Sequence, residues 1–128
     1  MQLISFDAPT GLEVRLGFEP TRLVSGQPVR WVFTLVNRGR ERRVVTFTSS
    51  QHGEVVLAAD GVPRYRWSSG RLFAAMIGER ALSPGEEWCQ SLVDTLSLPA
   101  GRYELHASMT SQPTLPPVRG EITIYPAQ

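Results

Sequence analysis

Between residues 29 and 37 every second side chain is apolar: Val29, Trp31, Phe33 and Leu35 share one face, and Arg30 and Thr34 share the other. A strict period of two would scatter apolar groups around a helix, whereas on a strand it makes one dry face and one wet face. The pattern therefore specifies a half-buried antiparallel strand. It recurs in residues 13–18, where Val14, Leu16 and Phe18 oppose Glu13 and Arg15. It returns in residues 101–109 with Tyr103, Leu105, Ala107 and Met109, and in residues 118–125 with Val118, Ile122 and Ile124. Shorter runs at 43–48, 55–59, 64–67 and 85–94 also read as strands. In the last of these, either register turns polar residues inward, so the pattern leaves its buried face open.

Turn chemistry separates the runs: Gly26-Gln27-Pro28, Asn37-Arg38-Gly39-Arg40 and Asp60-Gly61. The second of these is expected to close a hairpin between residues 29–37 and 43–48. Asp60-Gly61 is expected to close another between 55–59 and 64–67. Seven or eight short strands with no sustained helical period predict an all-β fold, an immunoglobulin-like antiparallel β-sandwich. Residues 71–77 fit two periods, Phe73, Ala75 and Ile77 as a strand or Leu72, Phe73, Met76 and Ile77 as a helical turn; a strand or irregular excursion is expected. The loop of residues 111–117 carries Pro113, Pro116 and Pro117 and is expected to be an ordered, exposed connector. The 128 residues hold no repeat and no linker, so residues 1–128 are expected to form one domain.

The chemistry of the side chains excludes more than it offers. Thirteen basic residues, all arginine, nearly balance twelve acidic ones, which gives no electrostatic case for nucleic acid or an anionic membrane as partner. Cys89 is the only cysteine, so no intramolecular disulfide forms. The N-terminus lacks the basic region and apolar run of a secretory signal, and no stretch approaches the roughly 20 apolar residues of a membrane helix. A cytoplasmic protein is the expectation.

His106 falls on the outward face of its strand and His52 in the turn after Ser49-Ser50-Gln51; both read as solvated, and no metal-ligand set surrounds them. Cys89 reads as a small core residue; a catalytic thiol would need a base, and only His106 on a neighbouring strand offers one. Asp60, Asp94, Glu54, Glu79, Glu86 and Glu87 form no catalytic motif. Ser49-Ser50 and Ser68-Ser69-Gly70 lack the strand–turn–helix frame of a nucleophile elbow, and no glycine-rich phosphate loop is present. No enzyme, cofactor or metal is expected. Tyr65 and Trp67 share one face of a short strand, with Arg64 and Arg66 on the other. That composition is typical of a protein-binding hot spot, but alternation favours packing of both rings beneath the hairpin.

Several pieces of the chain together resemble a known family. They are Phe47-Thr48-Ser49-Ser50-Gln51, Glu54-Val55-Val56, Asp60-Gly61, Tyr65-Arg66-Trp67-Ser68-Ser69-Gly70, Leu72-Phe73, Leu82-Ser83-Pro84-Gly85-Glu86 and Pro99-Ala100-Gly101-Arg102-Tyr103. In this order they resemble the BsuPI-type intracellular proteinase inhibitors, over residues 29–124. Where that family usually has aromatic-Asp-aromatic, this chain has Gly53-Glu54-Val55, which keeps an acid and loses both rings. The resemblance implies an immunoglobulin-like sandwich that binds and inhibits an intracellular subtilisin-type serine protease. It points to Tyr65, Arg66, Trp67, Ser68, Ser69, Gly70, Arg71, Leu72 and Phe73 as the partner-binding region.

Two loops are candidates for direct contact: residues 68–72, and residues 114–116, where apolar Leu115 precedes a proline. The competing expectation is an immunoglobulin-like interaction or accessory module that keeps the scaffold without inhibiting.

Overall fold

The computed structural model describes residues 2–128 and is all-β, an immunoglobulin-like sandwich with eleven strands among the described residues. One sheet holds β1 (Gln2–Asp7), β2 (Leu12–Glu19), β4 (Pro28–Asn37) and β9 (Glu87–Thr95), in that spatial order. The second holds β3 (Leu23–Val24), β11 (Val118–Tyr125), β10 (Gly101–Met109), β6 (Gly53–Ala59) and β7 (Val62–Arg66). A two-stranded ribbon, β5 (Arg43–Phe47) with β8 (Gly78–Leu82), completes the set. Pairing is antiparallel except for the short β3, which runs parallel to β11.

The alternation read from the sequence is the alternation of burial. Val29, Trp31, Phe33 and Leu35 are buried, and Val14 and Leu16 lie opposite Leu35 and Phe33 across the β2–β4 ladder. Tyr103, Leu105, Ala107 and Met109 face them from the second sheet, with Val55 opposite Ala107 and Leu57 opposite Leu105. Each fully buried leucine or phenylalanine in this layer stabilises the fold by about 1.5–3 kcal/mol. Tyr103 also donates its hydroxyl to the Pro99 carbonyl at 2.6 Å, tying the start of β10 to the loop before it. This bond accounts for the Pro-x-Gly-x-Tyr piece of the sequence.

The Asp60-Gly61 hairpin forms as expected, joining β6 to β7, and both turn residues adopt positive φ, 52° and 75°. The other expected hairpin does not form. β4 pairs with β2 on one side and β9 on the other, and β5 pairs with β8. The reason lies at Asn37, which is fully buried. Its Nδ2 donates to the carbonyls of Glu41 (2.7 Å) and Leu82 (2.9 Å), and its Oδ1 accepts from Gly39 N at 2.9 Å. The turn is thereby clamped so that the chain leaves the first sheet instead of folding back along β4. A strand this apolar gains most at a sheet centre, with both edges occupied.

β9 resolves the register that the pattern left open. Leu92 lies opposite Trp31 and Trp88 opposite Leu35, so these face inward together with Gln90 and Asp94. Cys89 consequently points outward and is exposed, contrary to the core position expected for it. The connector at residues 111–117 is not simply exposed either. Ser111 and Leu115 are buried, and Ser5 Oγ donates to the Pro116 carbonyl at 2.8 Å, holding the loop against β1. β1, β3 and β8 are not legible in the sequence, because β1 has no fully buried residue, β3 is two residues long and β8 buries only Leu82.

Candidate functional site

After β7 the chain crosses from the edge of one sheet to the edge of the other. Trp67 makes the crossing: its N–H donates to the Val55 carbonyl on β6 (2.9 Å), and its Nε1 donates to the Val93 carbonyl on β9 (3.1 Å). The indole is nearly buried, so both rings of the Tyr65 and Trp67 pair belong to the core rather than to the surface. A tight turn follows, with Ser69 N donating to Arg66 O and Arg71 N to Ser68 O, each at 3.1 Å. Gly70 sits at φ 74°, a conformation that other residues adopt only with strain.

Glu54 holds this turn from below. Its Oε1 accepts from the backbone N–H groups of Ser68 and Val55, both at 3.1 Å. Its Oε2 accepts from the Ser68 hydroxyl and, at 3.4 Å, from Gln51 Nε2. Arg66 approaches the same oxygen at 3.8 Å, while half its side chain stays exposed. A carboxylate with this many donors on a half-buried strand fixes the geometry of residues 66–70.

Arg71 folds back over the crossing. Its guanidinium lies 4.3 Å from the Trp67 ring centroid. It donates Nε to the Trp67 carbonyl (2.8 Å) and one terminal NH2 to the Val93 carbonyl (2.9 Å), and approaches Asp94 at 3.3 Å. Asp94 also accepts from the Tyr65 hydroxyl at 2.9 Å, and that hydroxyl accepts from Trp31 Nε1 at 3.3 Å. Burial, reinforced by the bond to Asp94, pushes the Tyr65 phenol well above its ordinary range. Phe73 returns to the core side, its ring 5.7 Å from that of Trp67. Ala74 is gripped by Ser50, whose N–H donates to Ala74 O and whose hydroxyl accepts from Ala74 N, both at 2.9 Å.

What these anchors present is a segment without regular structure from Arg71 to Ile77, the irregular excursion among the expected alternatives. Leu72 is 100% exposed, and Met76 and Ile77 are 56% and 78% exposed. Among the described residues, none hydrogen-bonds to the backbone of Leu72, Phe73, Ala75 or Met76. The nine predicted site residues thus divide by position. Tyr65, Trp67, Arg71 and Phe73 form the footing, Ser68 ties it to Glu54, and Arg66, Ser69, Gly70 and Leu72 face solvent.

Sequence reasoning missed the residues that do the anchoring, namely Glu54, Ser50, Asp94 and the Val93 carbonyl. Glu54 carried one signal: its parity on β6 is opposite to that of Val55 and Leu57, so it had to leave the core face. The second candidate loop is withdrawn, since Leu115 is 3% exposed and cannot be offered to a partner without unfolding its surroundings.

The stretch Gly53-Glu54-Val55 also acquires a physical meaning. Gly53 and Val55 point into the core, and a Cβ at Gly53 would stand 2.8 Å from the Phe33 ring. In this chain Phe33 occupies the space an aromatic side chain at residue 53 would need, and the retained acid anchors the turn. His52 is not solvated: its ring lies 4.6 Å from Phe47 and 5.8 Å from Trp88, with Nδ1 2.9 Å from Gln90 Oε1. His106 is exposed on the outer face of the second sheet and Cys89 on the outer face of the first, so they cannot act as a pair.

A family model described as BsuPI, intracellular proteinase inhibitor, matches residues 16–114, a span that includes every residue of this segment and its anchors. No curated protein matches the chain by sequence. Among solved structures, the C-terminal domain of wzt is similar over 100% of this chain and 78% of that one, at 17% identity and a TM-score of 0.53. Spo0M, a sporulation control protein from Bacillus subtilis, is similar over 92% of this chain and 50% of that one, at 14% identity and a TM-score of 0.51. β-Glucosidase 3B from Thermotoga neapolitana, in complex with glucose, is similar over 91% of this chain at 15% identity and a TM-score of 0.48. This chain covers only 16% of that enzyme and half of Spo0M. At such identities the likeness concerns the sandwich alone.

Proposed function

The chain belongs to the BsuPI family of intracellular proteinase inhibitors, and on that premise we propose that it binds and blocks a subtilisin-type serine proteinase of the cytoplasm. The contact region is residues 65–73, with the exposed run continuing to Ile77. The observation that carries this reading is Leu72, wholly exposed while the residues on either side of it, Arg71 and Phe73, are held against the Trp67 ring.

Ordering a flexible residue costs about 1–2 kcal/mol of backbone entropy. A segment whose flanks are already fixed meets most of that cost before binding, and the difference appears as affinity. The unpaired backbone groups of Leu72 and Phe73 are also available to pair with an extended wall of a partner, as in strand addition. The protein acts by occupying a site rather than by chemistry of its own.

Titration of the purified chain against a subtilisin-type serine proteinase tests the proposal. Inhibition saturating at a fixed stoichiometry is the expected result. Unchanged proteolysis at micromolar excess refutes it. Stable association with full retention of proteolysis would instead identify a non-inhibitory interaction module.

A further inference from the structure

We infer that Leu72 is the side chain that fills the proteinase's primary specificity pocket, and that this pocket is one that accepts a large aliphatic group rather than a cation. The inference rests on the inhibitory reading above and adds to it the residue that decides which proteinases are bound.

The exposed segment offers few side chains to such a pocket. Arg71 would suit a pocket with a carboxylate at its floor, but its guanidinium is committed to the Trp67 and Val93 carbonyls, to Asp94 and to the face of Trp67. Withdrawing it would break the footing that orders the segment. Phe73 is turned toward the core, its ring against Trp67. Ala74 is small, and both of its backbone groups are bound by Ser50.

Leu72 stands alone between these anchored residues, 100% exposed and with no protein partner for its own amide or carbonyl among the described residues. A fully solvated leucine on a rigid footing gains about 1.5–3 kcal/mol when a partner's pocket buries it. Met76 and Ile77 are also exposed, but the exposed and unbonded Ala75 separates Met76 from the anchored Ala74, and Ile77 adjoins Gly78, which is already paired with Phe47 in the β5–β8 ribbon.

Inhibition constants of the wild type and of Leu72→Ala, Leu72→Arg, Ile77→Ala and Ile4→Ala test the assignment, against a subtilisin-type proteinase and against trypsin. Ile4 is exposed on β1, at the far edge of the first sheet from β9, and serves as the control. Leu72→Ala is expected to weaken inhibition of the subtilisin-type enzyme by about 30-fold or more, as truncation at an interface centre does. Leu72→Arg is expected to abolish that inhibition and to create inhibition of trypsin, whereas Ile4→Ala leaves both constants unchanged. Because Leu72 is fully exposed, the Leu72 variants should keep the wild-type unfolding midpoint, which separates loss of contact from loss of fold. A wild type that inhibits while Leu72→Ala stays within about threefold of it overturns the assignment and leaves the inhibitory reading standing. The assignment fails equally if Ile77→Ala, and not Leu72→Ala, removes inhibition. A wild type that inhibits neither enzyme overturns both.

Discussion

Replacing Arg71 with alanine tests whether the exposed segment is rigid because of the contacts described above. The side chain makes two hydrogen bonds to carbonyls, 2.8 Å to Trp67 and 2.9 Å to Val93, an approach to Asp94 at 3.3 Å, and a stack on the Trp67 ring. A charged donor to a carbonyl contributes about 1.5–3 kcal/mol. The ion pair is about a third exposed on each side and is worth about 0.2–1 kcal/mol, and the cation–π contact about 0.5–1 kcal/mol. These do not add, because one group makes them all and the Val93 carbonyl keeps its bond from Trp67 Nε1. A net loss of about 2–3 kcal/mol in holding the segment closed is expected.

Residues 71–77 lie outside both sheets, so the loss should appear as local opening and only weakly in global unfolding. Hydrogen exchange reads it directly. The Ala74 amide, protected only by Ser50 Oγ, should exchange about 30- to 150-fold faster. The urea unfolding free energy should fall by less than about 1 kcal/mol. Arg71→Lys restores a charge but not the planar fork, and should recover no more than the ion-pair part. An Ala74 exchange rate within about threefold of wild type would show that Phe73 and Ser50 suffice, and the anchoring role of Arg71 would be wrong.

Gly53→Ala places a Cβ 2.8 Å from the buried Phe33 ring and should destabilise the fold by about 1–3 kcal/mol in urea unfolding; the Phe33→Leu background should relieve part of that loss, and strictly additive effects would refute the clash. The Tyr65 phenol is raised by burial above its ordinary value of 10.0, so the folded chain keeps a proton that the unfolded chain releases. This contribution to stability is therefore whole below about pH 10 and is lost as pH rises further; urea midpoints should decline on the alkaline side, and less so in Tyr65→Phe. Lysine is absent from the chain, and Tyr103, Tyr125 and Cys89 are common to both proteins, so equal slopes for the two would refute the assignment.

The strands that the sequence reveals best are those that face water on one side. β4, β10 and β11 alternate because one face of each lies on the core, and the side chains named from the pattern are those found buried. β9 is legible as a strand but not in its register, because its inward face includes Gln90 and Asp94, which are tolerated there through their bonds to His52 and Tyr65. The expected β4–β5 hairpin fails because turn residues state that the chain turns, not where it goes next. Only the buried side chain of Asn37, bonded to carbonyls four and forty-five residues away, decides that. In the candidate site, alternation places Tyr65 and Trp67 inward, as they are found. The exposure of Leu72 is not legible, since residues 71–77 fit two periods in the sequence and obey neither in the fold.

Local pattern and turn chemistry were enough to determine a β-sandwich, its principal core faces and the Asp60-Gly61 hairpin, because these follow from each residue and its near neighbours. The anchored segment is a different matter. Glu54 meets Ser68 across 14 residues, Ser50 meets Ala74 across 24, and Arg71 meets Val93 across 22. Each contact joins a side chain to a backbone group of a separate segment, and no period within a strand encodes the distance between the two. Tertiary structure alone therefore decided that Arg71 is held and Leu72 is free.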